Sequence, residues 1–251
     1  MADIAVVSGA GSGIGAATTR RLRERGISVV GVDLVEGSDA ADLVWIQGDV
    51  ADGETWCRAV DGAKKQFDGT PSILVLNAAY LAVGTVLELS DEQWQRLFSV
   101  NVFGAVRALR ACLPGMIERK RGAVVTVGSV DATMAEQGLI SYCASKGAIL
   151  QLTRTIAVDH ARDGVRANCV CPGVTDTPSF RRHLDTASDP EQFVKVREER
   201  NPLGRLIDPD EVAAMIVFLA SDEASAITGA TIAVDAGLST SFDFRTGAEG
   251  A

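Results

Sequence analysis

Tyr142 and Lys146 stand four residues apart in a stretch patterned as a helix from about Ile140. That spacing puts both side chains on one helical face, one turn apart. A free tyrosine titrates near ~10 and is a poor base at neutral pH. A neighbouring ammonium favours the phenolate, which fits the pair for exchanging a proton with an alcohol or a carbonyl. Such a pair is common by chance, and alone it reads as helix surface. Ser129, just past the fifth apolar strand, offers a hydroxyl that can hold a substrate oxygen as charge changes there. Asn101 falls inside a helical stretch, where asparagine is mediocre and calls for a special reason.

A second group of residues could hold phosphate. The first strand runs into Ser8-Gly9-Ala10-Gly11-Ser12-Gly13-Ile14-Gly15. Glycines there allow a tight strand-to-helix turn, close backbone approach to a pyrophosphate, and a helix start whose N–H groups face the phosphates. The spacing is Gly9-x-x-x-Gly13-x-Gly15 and not the strict G-x-G-x-x-G. Asp33 follows 18 residues after Gly15, at the end of the second strand, in the range expected for an acid that binds the adenosine ribose. Its carboxylate repels a 2′-phosphate, and no Arg or Lys lies in the turn or directly after Asp33 to hold one. The expected cofactor is therefore NAD.

The elements that must position these groups alternate along the chain. Apolar strands are expected at Ile4–Ser8, Ile27–Val32, Leu43–Gln47, Ile73–Leu76, Ala123–Val127, Arg166–Cys171 and Thr231–Val234. Helices are expected at about Gly13–Arg25, Ala51–Gln66, Asp91–Arg110, Ile140–Ala161 and Pro209–Leu219. This predicts an α/β fold: a Rossmann-like, doubly wound, parallel seven-stranded sheet with helices on both faces, in a single domain spanning 1–251. Residues 178–205 are charged and lack a clean apolar stripe, and are read as a lid over the substrate. Residues 240–251 are polar and read as a short arm, ordered or frayed.

Composition excludes several classes. The chain has 251 residues, 47% hydrophobic and 23% charged, with net charge −9, so it is neither disordered nor a coiled coil. An acidic surface repels phosphate backbones and anionic lipid, so no nucleic-acid or membrane partner is expected. No apolar run approaches the roughly 20 residues of a bilayer span. The first strand begins within three residues of Met1, which points to a cytoplasmic protein without a secretory signal. Cys169 and Cys171 share a strand face, but with only two histidines and no C-x-x-C they read as buried thiols, and no metal is expected.

Taken together, these motifs resemble the short-chain dehydrogenase/reductase family in its compact form. The resemblance covers Ile4 to Gly237 and rests on separated motifs in order. They are the glycine turn, the Asp49-Val50 pair, Asn77-Ala78, the set Asn101, Ser129, Tyr142 and Lys146, and Pro172-Gly173-Val174-Thr175-Asp176-Thr177. It implies that Tyr142 is the acid/base, that Lys146 binds the nicotinamide ribose and lowers the tyrosine pKa, and that Ser129 orients the substrate oxygen. Asn101 would hold a water on the proton path. Gly9, Ser12, Gly13, Ile14, Gly15, Asp33, Asp49, Val50, Asn77, Ala78, Pro172, Gly173, Val174 and Thr175 would bind NAD, together with Tyr142 and Lys146. A homotetramer is implied as well, built through the helices carrying Asn101 and Tyr142.

The sequence departs from the family pattern at three places. Ser8 replaces a threonine, Leu76 replaces an asparagine whose loss would loosen a polar link between strands, and Ala79 replaces a glycine and would narrow the nicotinamide site. The activity expected is interconversion of a small or cyclic secondary alcohol and its ketone. Alternatives are a 3-oxoacyl reductase of the acyl-carrier-protein type, against which the acidic charge and Ser12 argue, and a non-catalytic cofactor sensor. Candidate pocket walls are Ala79, Tyr80, Asp131, Thr133, Glu136, Gln137 and the lid. Arg181, Arg182 and His183 could meet an anion but read first as a solvated charge run.

Overall fold

The structure is a computed structural model that describes residues 3–185 and 187–240. Its seven strands are β1 (Ile4–Ser8), β2 (Ser28–Asp33), β3 (Leu43–Gln47), β4 (Ile73–Leu76), β5 (Gly122–Val127), β6 (Val165–Pro172) and β7 (Thr231–Val234). They form one parallel sheet in the order β3-β2-β1-β4-β5-β6-β7. Side chains alternate across a strand, which explains why these segments are apolar throughout. Ile4 and Val6 join Leu74 and Val124 in one core layer, under α2 (Gly53–Phe67), α4 (Gly104–Glu118) and α5 (Ile140–His160). Ala5 and Val7 join Val29, Val75 and Val125 in the other, under α1 (Gly13–Glu24) and α8 (Pro209–Ala220). The chain reverses direction between β1 and β4, and that switch point opens a crevice at the carboxyl ends of the strands.

Two stretches differ from expectation. The helix anticipated over Asp91–Arg110 is α3 (Asp91–Phe98), then a π-helical turn (Ser99–Phe103), then α4, continuing to Glu118 past Pro114. This 28-residue run is long and apolar enough by composition to cross a bilayer, although charged residues interrupt it and no unbroken apolar run in it approaches a bilayer span. Its apolar face is spent inside the protein, however. Ala105, Ala108, Leu109, Cys112 and Met116 pack into the core layer with α2 and the sheet, as a core helix does. The charged stretch 178–205 carries two helices, α6 (Pro178–Leu184) and α7 (Pro190–Arg200). Thr177 and Asp189 cap them, each followed by proline at the first helical position, where a missing N–H costs nothing. The arm expected over 240–251 lies outside the described residues from 241 onward.

Candidate active site

The carboxyl ends of the central strands open onto a cavity of about 910 Å³, at the upper end of the ~300–1,000 Å³ common for ligand sites. One end is the glycine turn. Gly9 and Gly13 hold φ of +67° and +52°, left-handed values that favour glycine. A Cβ on Gly15 would collide with the Gly9 carbonyl oxygen, so this residue lets α1 sit close without itself lining the cavity. Ser12 starts α1 with no side-chain cap bond, which leaves the first amides of the helix to whatever fills the crevice. Ser12, Gly13 and Ile14 all line it.

Asp33 lies beside this turn at the end of β2, its Oδ2 accepting the Gly11 N–H at 2.8 Å. Asp49 and Val50 line the same end. Asp49 is held by Arg96 of α3 (2.9 Å) and by the Ala51 N–H (2.8 Å). The anticipated loosening at Leu76 does not occur. Leu76 is buried in the core, and the β1–β4 link is made by other groups. Ser8 Oγ accepts the N–H groups of Asn77 (3.0 Å) and Ala78 (3.1 Å), while the Asn77 side chain donates to the Ser8 carbonyl (3.0 Å). On the opposite wall stand Pro172, Gly173, Val174 and Thr175. Gly173 fits because a Cβ there would press on Asp235 at 2.9 Å.

A dinucleotide fits these residues. The turn has room only for glycine, the helix start is uncapped, and an acid stands where an adenosine ribose would end.

The other end of the cavity brings Ser129, Tyr142 and Lys146 together. Lys146 is buried, donates to the Val127 carbonyl at 2.7 Å, and lies 5.4 Å from the Tyr142 ring centre. Burial pushes its ammonium down to about 8, and the carboxylate of Asp131 opposes the drop. Tyr142 moves opposite to the sequence expectation. Burial, and then the carboxylate of Asp131, hold its phenol above the usual tyrosine value, while Ser129 opposes the rise. Burial of the phenol outweighs any help from the ammonium, and the carboxylates of Asp131 and Glu136 add to it; this is why the expected depression is missing.

Ser129 donates to Asp131 Oδ2 at 3.0 Å and accepts the Asp131 N–H at 3.1 Å. Burial and the neighbouring Glu136 raise the Asp131 carboxyl, which also feels Lys146. Asn101 sits in the π-helical turn beneath the cavity and does not line it. Its amide accepts the Tyr80 N–H (2.7 Å) and donates to the Tyr80 carbonyl (3.0 Å) and Ser145 Oγ (3.0 Å). The side chain thus clamps the Tyr80 backbone to Ser145 of α5. Cys169 and Cys171 are buried thiols with sulfurs 3.8 Å apart, packed under Gly128 where no Cβ would fit.

Among the charged run, Arg181 is solvated and paired to Asp176, but Arg182 and His183 do line the cavity. Sequence reasoning missed Arg96 as a lining residue and did not single out Arg197 and Arg200 within the 178–205 stretch it placed over the pocket; nothing in their local spacing marks them. The bond from the Asp131 N–H to Ser129 Oγ did have a signal: a serine side chain at a strand end commonly bonds the backbone two residues on.

Residues 9–239 match a family model described as Enoyl-(Acyl carrier protein) reductase. The cis-4-hydroxycyclohexanecarboxylate dehydrogenase of Sinomonas cyclohexanicum is 38% identical, over 93% of this chain and 95% of its own. Dehydrogenase/reductase SDR family member 6 of Danio rerio is 34% identical over 93% and 96%. Among solved structures, the ligand-free aldohexose dehydrogenase of Thermoplasma acidophilum shares 32% identity and a TM-score of 0.91, covering 98% of this chain and 97% of that one. The chain belongs to the short-chain dehydrogenase/reductase family. It is an oxidoreductase that interconverts a secondary alcohol and its ketone by hydride transfer with a nicotinamide cofactor. The family model is described by an enoyl reduction; the dehydrogenase relatives and the four-residue Tyr142–Lys146 step put this chain on the alcohol side.

Proposed function

We propose that the protein is an NAD-dependent dehydrogenase of a small or cyclic secondary alcohol, with Tyr142 as acid/base. The observation that carries this reading is the convergence of Ser129, Tyr142 and Lys146 in one cavity with the glycine turn and Asp33. Ser12, Gly13 and Ile14 present backbone N–H groups to the pyrophosphate, Gly9, its own N–H held by the Val32 carbonyl, lets the phosphates come close for want of a side chain, Gly15 lets the helix approach, and Asp33 takes the adenosine ribose hydroxyls and rejects a 2′-phosphate. Asp49 and Val50 flank the adenine, Asn77 and Ala78 fix the floor, and Pro172 to Thr175 meet the nicotinamide amide. When bound, the nicotinamide ring accepts hydride from the carbinol carbon or returns it.

Ser129 fixes the substrate oxygen beside Tyr142. In oxidation Tyr142 Oη takes the hydroxyl proton as the carbinol becomes a ketone; in reduction it gives that proton back. Lys146 keeps two ammonium N–H groups beyond its Val127 bond, which reach for the nicotinamide ribose and pass the proton on. Asn101 positions the Tyr80 backbone and Ser145 around this path. We further read the chain as one domain with 178–205 as its lid. Five unpaired cysteines suit a cytoplasmic, reducing setting, and exposed Phe103 and Val158, on the helices carrying Asn101 and Tyr142, suit a homotetramer.

The test is Tyr142→Phe, followed by NADH absorbance during alcohol oxidation and by NADH binding. Turnover should fall about 10²- to 10⁴-fold with NADH affinity preserved. Undiminished turnover would sink the assignment of Tyr142. Wild-type rates should be well above those with NADP, and equal rates would remove the role given to Asp33.

A further inference from the structure

The cavity has a wall that the hydride chemistry does not use. It is built by α7 and the loop after β5, and its centre is Arg197. This side chain is only 16% exposed, and its guanidinium lies flat on the Phe193 ring, with the carbon 3.3 Å from the ring centre. It donates to Glu136 at 3.1 Å and to the Phe193 carbonyl at 3.4 Å. A guanidinium carries five N–H donors in a rigid fork, so these two contacts leave donors directed elsewhere. Arg200, one turn further along α7, also lines the cavity and lies close enough for its charge to act on Arg197. Two cations therefore share this wall with the carboxylates of Glu136 and Glu199, of which Glu136 is the one bonded to Arg197. A half-buried, stacked arginine with spare donors is suited to planar, bidentate recognition of an anion.

Position adds the second half of the argument. Glu136 touches Arg197, and its charge also acts on Asp131 and Tyr142. The anion-facing wall is thus one small molecule away from the acid/base. Glu136 competes for the same guanidinium, so Arg197 stays paired until a better-placed anion arrives.

We propose that Arg197, aided by Arg200, is a carboxylate-binding subsite, and that the preferred substrate is a hydroxy acid whose carboxylate lies a few bonds from the carbinol carbon. This rests on the dehydrogenase reading above and names the substrate class of that site. An arginine that only latches α7 to the loop after β5 would affect every alcohol alike, whereas a subsite affects acids selectively.

The experiment compares kcat/KM with NAD for 3-hydroxybutyrate and 4-hydroxycyclohexanecarboxylate against their primary amides. It uses the wild type, Arg197→Met and Arg197→Lys. The wild type should prefer an acid over its amide by about 10- to 100-fold, a preference that collapses toward one in Arg197→Met through KM and partly returns in Arg197→Lys. A parallel thermal shift with NADH and cyclohexanecarboxylate, which cannot react, should stabilise the wild type and leave Arg197→Met unmoved. Preference near one in the wild type, or an equal loss on acid and amide in Arg197→Met, would overturn the subsite. Oxidation of neutral alcohols alone would overturn it while keeping the dehydrogenase reading. Carboxylate binding without oxidation of any alcohol would keep the subsite and overturn that reading.

Discussion

Asp131 bears on two reacting groups at once, taking the Ser129 hydroxyl proton and facing Tyr142 with a carboxylate. While Asp131 is ionised, the Ser129 hydroxyl points at it, and its lone pairs are what a substrate hydroxyl meets. Burial first, and then the same charge, raise the Tyr142 phenol and favour its protonated form. Alcohol oxidation needs the phenolate, so the sign is fixed: oxidation should accelerate as pH rises, and ketone reduction should fade. Asp131→Asn keeps an oxygen for Ser129 and removes the charge. Its kcat/KM profile for oxidation should shift to lower pH, with a gain of about three- to tenfold at pH 7. An unmoved profile would show that Asp131 has no hold on the phenol. That Tyr142, Lys146 and Ser129 meet in one cavity was legible because their spacing and strand-end placement are local properties. The direction of the tyrosine shift was not, because it depends on which carboxylates the fold brings near, and that is a tertiary fact.

The same boundary between local and tertiary runs through the elements. All seven strands were legible from their apolar runs, to within a residue or two, since strands buried on both faces have little choice of composition. The helices α6 and α7 escaped because periodicity was sought and they have no buried face; their signature is instead the Thr-Pro and Asp-Pro starts. The π-helical turn escaped because no residue type in Ser99–Phe103 marks a widened turn.

Capping also governs α8. Asp208 accepts the Asp210 N–H (2.8 Å), and Glu211 reaches back to the Asp208 N–H (2.9 Å). Arg205 grips Glu211 through two bonds of 2.7 Å. That grip, and then the Asp208 N–H, lower the Glu211 carboxyl to about 2 from an unfolded value near 4.5. A lowered carboxylate stabilises the fold above pH 4.5, and the contribution is lost as pH falls through about 2. Glu211→Gln keeps the reach-back bond without the charge. Its urea midpoint should therefore fall less than that of the wild type between pH 4.5 and 2, by a modest amount because the pair is exposed. Parallel curves would remove the pair from the acid sensitivity.

For the whole molecule, the net charge of −9 and the sheet topology agree with what composition and alternation imply. What composition could not reveal is that a helix with bilayer-like content is a core helix, since only the fold shows where its apolar face goes. Phe103 and Val158, 53% and 79% exposed, leave apolar surface on the faces assigned to assembly. Sedimentation of the wild type should give a mass about four times the 26.3 kDa of the chain. Val158→Asp should lower that mass and reduce stability, because burying an unpaired charge in a subunit contact costs several kcal/mol, about 3–5. A monomeric wild type would overturn the tetramer.

The π-helical turn at Ser99–Phe103 carries a genetic consequence. Its Gly104 N–H bonds to the Ser99 carbonyl, one residue further back than an α-helix requires. Deleting a single codon there would restore regular winding and relieve a weak stretch of helix. It would also rotate everything upstream by about 100° relative to α4, taking Arg96 from Asp49 and Asn101 from Tyr80. A shortened chain of this kind would be better wound and without a working site, so selection for activity and selection for a regular helix pull in opposite directions at this turn.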